Sequence, residues 1–198
     1  VQTCALPIYV YGGLQDNNSW MAPSSSPGGV TAVDWRVLDG GDGFWVQPSP
    51  VNPKIVFAES QGGEIIRVDL STGLSYGTRP KKMAGDEEHR WNWNTPIVTG
   101  KSIRKNAKGK PQYNLYTAAQ YLFRSTDDGK NWERISPDLT TNDHSKINQA
   151  EKNEGITGDN TSAENYCTVF TIAQNPENEN IIWVGTDDGN LQLTTNGG

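Results

Sequence analysis

YGGLQDN at residues 11–17 returns as FAESQGG at 57–63, as YTAAQYL at 116–122 and as WVGTDDG at 183–189. In each copy an aromatic side chain closes a short apolar strand. An amide or acid follows four positions later: Tyr11 with Gln15, Phe57 with Gln61, Tyr116 with Gln120, and Trp183 with Asp187. The aromatics at 11, 57, 116 and 183 stand 46, 59 and 67 residues apart. Short strands and turn signals recurring every roughly 40–50 residues mark the blades of a β-propeller, with insertions lengthening the wider intervals. The expected fold is therefore all-β, with about four blades of a larger propeller of seven or more.

The 198 residues divide unevenly among such blades. Residues 8–42 read as a partial blade that opens on its second strand. Residues 43–90 read as a second blade, 91–166 as a third with a long loop, and 167–198 as a fourth, cut short. The chain is thus expected to be an internal piece of a longer protein, whose remaining blades are partners of this one. Residues 1–7 (VQTCALP) fit no repeat and are expected to be a non-native end. Strands are expected within 8–12, 19–23, 31–37, 43–47, 54–60, 64–70, 91–97, 113–119, 121–127, 132–137, 167–174, 180–186 and 190–195. The Lys-rich stretch 101–110 reads as a solvated hairpin loop.

Composition agrees with a turn-dense β protein, with 21 Gly, 11 Pro, seven Trp and seven Tyr. The formal charge of −6 argues against a nucleic-acid backbone as partner. No apolar run approaches the roughly 18 residues that a membrane helix needs. Cys4 and Cys167 are too few for a disulfide framework and read as two unpaired thiols, a single bridge being the alternative. No cofactor is expected. Acidic loops such as residues 186–190 offer oxygen ligands for Ca²⁺, but their spacing differs from an EF-hand loop.

The sharpest local motif is STDDGKNW at 125–132, which fits S-x-D-x-G-x-x-W, the Asp-box of sialidases and related repeats. Its residue types suit a turn. After Ser125, Asp127 can accept backbone N–H bonds within the turn, Gly129 can take positive φ, and Trp132 folds back onto the blade. The box is expected to be structural rather than catalytic.

These strings resemble, over nearly the whole chain from Tyr9 onward, bacterial proteins with sortilin-type propeller repeats, often labelled glycosyl hydrolase or BNR-repeat proteins. The residues that carry the resemblance are YVYGGLQDN, GGDGFWVQPSP, AAQYLFRSTDDGKNWERISPDLTTND, GITGDNTSAEN and IIWVGTDDGN. The resemblance implies an exported protein, secreted, periplasmic or held at the cell surface. More distantly the repeats are similar to xyloglucanases, whose paired propellers hold a glucan between them, and to sortilin, whose propeller binds peptides. Family likeness alone does not choose between enzyme and binder.

Two functions remain in view. A binding module would take a peptide, protein or glycan on the face formed by the loops after each second strand and before each first strand. Candidates there are Gln15, Asp42, Glu59, Gln61, Trp91, Trp93, Gln120, Asp159 and Asp187, with the tryptophans as platforms for sugar rings. The recurring Gln15, Gln61, Gln120 and Asp187 can equally serve to tie backbone together, and Asp42 and Asp159 can be turn residues. The alternative is a glycoside hydrolase with paired carboxylates. By resemblance to xyloglucanases, Asp16 would be one catalytic carboxylate, although Asn17 and Asn18 follow it where that pattern has a Gly pair.

Overall fold

Every residue of the strand Ile55–Ser60 is buried, on both faces of its sheet. That is possible only if another layer covers each side. A computed structural model, which describes residues 8–147 and 165–198, shows how. The first sheet contains β1 (Tyr9–Gly13), β2 (Ser19–Pro23) and β3 (Arg36–Asp39). The second contains β4 (Gly43–Pro48), β5 (Ile55–Ser60), β6 (Glu64–Asp69) and β7 (Ser75–Gly77). Next come β8 (Ile97–Thr99) and a separate hairpin of β9 (Arg104–Lys105) and β10 (Pro111–Gln112). With β8, the strands β11 (Leu115–Ala118), β12 (Leu122–Ser125) and β13 (Glu133–Arg134) complete the third sheet. The fourth contains β14 (Val169–Gln174), β15 (Ile182–Thr186) and β16 (Leu191–Thr194). All pairings are antiparallel and each sheet is a meander in chain order.

The apolar clusters lie between consecutive sheets. Met21 and Leu38 of the first sheet meet Val56 and Val68 of the second. Ile55, Phe57 and Ile65 of the second meet Ile97 and Leu115 of the third. Tyr116, Ala118 and Leu122 of the third meet Val169, Ile172, Ile182 and Val184 of the fourth. Strand alternation explains the sharing: Val56 and Phe57, or Leu115 and Tyr116, are neighbours that point to opposite faces. The two outermost faces carry large exposed apolar side chains. On the first sheet these include Val10, Trp35 and Val37, and on the fourth Phe170, Trp183, Leu191 and Leu193.

Two expected strands differ. Residues 31–37 alternate like a strand, yet Ala32–Asp34 forms a 3-10 turn and β3 starts only at Arg36. The Asp34 carboxylate accepts from the Thr31 backbone N–H at 2.7 Å and its hydroxyl at 3.0 Å, which closes a local turn that competes with extension. Residues 91–97 also read as extended, but β8 begins at Ile97. Asn92 accepts from the Asn94 N–H at 2.9 Å through its side chain, and from the Thr95 hydroxyl at 2.8 Å through its carbonyl. The Lys-rich stretch holds part of the small β9–β10 hairpin, turned at Gly109 with φ +72°.

Cys167 is buried with a free thiol. Cys4, residues 1–7 as a whole and Asp159 lie outside the described residues. Among the described residues no helix is long and apolar enough to cross a membrane.

Candidate functional site

The turns after the second strands and the segments leading into the first strands meet at one end of the sheets, joined by hydrogen bonds. The Asp42 carboxylate accepts from the Asp16 backbone N–H at 2.8 Å, which links the first sheet to the second. The Asp42 N–H in turn donates to Gln61 Oε1 at 2.8 Å. The Gly62 N–H donates to the Trp93 carbonyl at 3.1 Å. Gln120, fully buried, accepts from the Arg90 N–H at 2.9 Å and donates to the Glu88 carbonyl at 2.9 Å. Asp187 accepts from the Thr168 N–H at 2.9 Å and the Thr168 hydroxyl at 2.7 Å.

Gln61, Gln120 and Asp187 therefore do one job. Each reaches back from the end of a second strand to fasten the segment that leads into the first strand of its own sheet. The same spacing from the aromatic residue puts the same group in the same place. Gln15 is exposed, and Asp16 beside it holds a left-handed φ of +62°, which Asp tolerates better than most residues. Among the described residues the Asp16 carboxylate accepts no hydrogen bond, unlike those of Asp42 and Asp187.

Glu59 sits beneath this end rather than on it. It is fully buried, and its Oε1 accepts from the Gly63 N–H at 3.3 Å and the Thr95 N–H at 3.1 Å. Its Oε2 has no partner among the described residues. Burial pushes its pKa up to about 9, which outweighs those N–H bonds, so the carboxyl is neutral at pH 7. Asp187 is also held above the ordinary carboxylate range by loss of solvent around its carboxyl, although part of the residue stays exposed.

Trp91 departs from the expected exposed platform. Trp91 is only 7% exposed. Its ring stacks on Phe123 at 6.1 Å, with the Arg79 guanidinium 5.6 Å from its centre. Trp93 is half-buried. An indole sandwiched in this way stabilises the junction of the second and third sheets and leaves little face for a sugar. His89 packs beside it against Phe123 at 5.1 Å, and burial lowers its pKa.

What does stand open is a cleft of about 420 Å³ between the first and second sheets, lined by Tyr11, Gly13, Gln15, Phe44, Trp45 and Asn94. The Asn94 Oδ1 is itself enclosed and has no hydrogen-bond partner among the described residues. Amides, a phenol and an indole there can bind by hydrogen bonding and stacking.

Sequence reasoning missed Arg90. Its guanidinium donates to the Cys167 carbonyl at 3.1 Å, to Asp138 at 2.7 Å and to Thr140 Oγ1 at 3.2 Å, fastening the third sheet to the fourth. A single Arg at the end of the acidic run 86–88 was the available signal.

The Asp-box closes on itself. Ser125 Oγ accepts from the Gly129 N–H at 3.0 Å, and Asp127 accepts from the Ser125 hydroxyl and the Asn131 N–H, each at 2.9 Å. Trp132 Nε1 donates to the Thr78 carbonyl at 2.5 Å. Gly129 has φ +76°, and a Cβ there would lie 2.4 Å from Thr78 Oγ1. Both conditions select glycine.

In the acidic loop considered for Ca²⁺, Asp188 accepts from the Thr141 N–H at 2.6 Å and from the Thr141 hydroxyl at 2.7 Å. Among the described residues no three His, Cys, Asp or Glu side chains converge on a metal-sized space. No protein-family model matches the chain, and no curated protein matches it.

Proposed function

We propose that the chain is a run of β-propeller blades, at 8–42, 43–90, 91–166 and 167–198, from an exported protein of the sortilin-like, BNR-repeat kind. Its loop end binds a peptide, protein or glycan. Sheets stacked face to face in chain order, each an antiparallel meander, support the propeller reading. The exposed apolar side chains on the two outermost faces support further blades of the same polypeptide as their covers.

One observation carries the preference for binding over catalysis. At the loop end the carboxylates of Asp42 and Asp187 are occupied by backbone N–H groups, and Glu59 is enclosed, while the open cleft presents Gln15, Tyr11, Trp45 and Asn94. Carboxyl groups engaged in holding backbone, or enclosed beneath it, are not free to meet a ligand, whereas amides and rings in an open cleft suit recognition. The test is a screen of peptide and glycan arrays with the wild-type chain, followed by titration with Gln15→Ala and Trp45→Phe. Loss of affinity for a wild-type ligand in these variants supports the reading. Ligand binding untouched by both changes rejects this cleft.

The glycoside hydrolase alternative rests on Asp16, whose exposed carboxylate accepts no hydrogen bond among the described residues. Glycan cleavage that falls by orders of magnitude in Asp16→Asn, with binding retained, would establish it.

A further inference from the structure

A wide cleft lies away from the loop end, at the outer edge of the second sheet. It measures about 630 Å³ and separates β7 from the Asp-box turn of the third sheet, with Gly77, Lys81, Lys130 and Trp132 among its walls. Two features of it point to a ligand.

The first is charge. Arg79, Lys81, Lys130 and Arg134 line it against one carboxylate, Asp86, on a chain whose formal charge is −6. Arg134 pairs with Asp86 at 2.9 Å and Arg79 with Glu64 at 2.7 Å. Lys81 and Lys130 make no ion pair among the described residues and are exposed, although Lys130 lies near enough to Asp127 to stabilise that carboxylate. The cleft continues past Gly77 and Lys81 into a second of about 440 Å³. There the carboxylates of Glu64 and Glu88 are matched by Arg79 and Lys82.

The second is an open backbone edge. The second sheet ends on β7, all three residues of which are exposed. The Thr78 N–H donates to Ile65 and the Asp69 N–H to the Leu74 carbonyl, with Tyr76 opposite Arg67 between them. Antiparallel pairs alternate, so Tyr76 directs its N–H and C=O toward β6, whereas Ser75 and Gly77 direct theirs outward. A Cβ built on Gly77 meets nothing within 4 Å, so the face of the sheet is open at this residue.

We propose that this cleft is a second binding site, for an acidic peptide segment in extended conformation that adds as a strand to β7 and sets its carboxylates against Lys81 and Lys130. Outward amides two residues apart match a strand's repeat, and alternate side chains of that strand would point to one wall.

The experiment is fluorescence anisotropy of the wild-type chain with a labelled short peptide alternating valine and glutamate. We expect saturable binding that weakens with added salt, and that falls about tenfold or more in the Lys81→Glu/Lys130→Glu variant. The same peptide N-methylated at alternate residues should lose binding, because the edge then meets no N–H donors. Trp45→Phe at the loop-end cleft should leave it unchanged, so failure here and failure of the loop-end reading are distinguishable. The proposal is overturned by absence of binding, by equal affinity for a valine–lysine peptide, or by full retention of the N-methylated peptide. Tighter, competing binding of a uronic-acid oligosaccharide would also overturn it, in favour of an anionic glycan.

Discussion

The Asp-box turn and the loop-end clamps both use a polar side chain to hold backbone, but over different distances. Within the box, the side chains of Ser125 and Asp127 bond to residues up to four positions away. Residues 194–198 repeat the arrangement with Thr194 for Ser and Asn196 for Asp. Thr194 Oγ1 accepts from the Asn196 N–H at 3.3 Å and the Gly198 N–H at 3.2 Å. The clamps reach further: Gln61 to Asp42, Asp187 to Thr168, and Gln120 to Glu88 and Arg90. A local turn can form in an isolated segment, whereas a clamp exists only after its sheet is assembled. The box can therefore be judged alone, and the clamp cannot.

Trp132 carries the box onto the end of the second sheet, where the Thr78 hydroxyl also donates to the Gly129 carbonyl, and its loss should produce the largest effect. Trp132→Ala should destabilise the fold by roughly 3–5 kcal/mol, since it empties a site between two apolar clusters and frees the Thr78 carbonyl. Chemical denaturation would measure this. A loss under about 1 kcal/mol would mean that the box turn does not anchor the junction of the sheets.

Glu59 joins the two kinds, bonding locally to Gly63 and distantly to Thr95. Between the unfolded carboxyl pKa near 4.3 and the folded value of about 9, the unfolded chain has lost a proton that the folded chain keeps. Stability must therefore fall as pH rises across that window, by about 1.4 kcal/mol per unit. From about pH 5 to about pH 7 this amounts to about 3 kcal/mol, and Glu59→Gln should abolish that component. Parallel stability profiles for wild type and variant would show that the carboxyl is not buried in its neutral form.

For the clamp itself, Gln120→Ala strands the Arg90 N–H and the Glu88 carbonyl, and should cost about 2 kcal/mol. Hydrogen exchange at Arg90 should speed up in the variant. Unaltered protection of that amide would show that the clamp does not hold its segment.

The smallest effect belongs to the turn acid. Desolvation works to raise the pKa of Asp127, but the hydrogen bonds from Asn131 and Ser125 together hold it below the usual value. Its contribution is therefore present above the unfolded pKa near 3.9 and is lost as pH falls through the lower folded value. Asp127→Ala should cost about 1–2 kcal/mol at pH 7, with the difference shrinking in acid. A deficit that persists undiminished at the lowest pH would assign the effect to lost packing instead of to the charge.

Short-range information explains what could be read directly. Short apolar runs bounded by turn residues within 43–47, 54–60 and 64–70 sufficed for β4, β5 and β6, because a strand buried on both faces is written in adjacent residues. The box at 125–132 was legible as a turn for the same reason, and the spacing of aromatic and amide marked equivalent places in successive sheets. Alternation misled at 31–37, where the Thr31–Asp34 bonds close a turn that a two-residue period does not register.

Tertiary structure decided the rest. An indole reads alike in any strand or loop, and only the approach of Phe123 and Arg79 turns Trp91 from a platform into a buried stack. Glu59 looks like any acid in a turn until layers on both faces of β5 remove its water and make it neutral. The amide at position 120 was visible, but its partners lie some thirty residues back. The sequence by itself determined strands, turns and their repeat, because these depend on neighbours along the chain. Which polar groups bind backbone, which stay exposed and which lose their charge depend on neighbours in space, and only the packed sheets supply those.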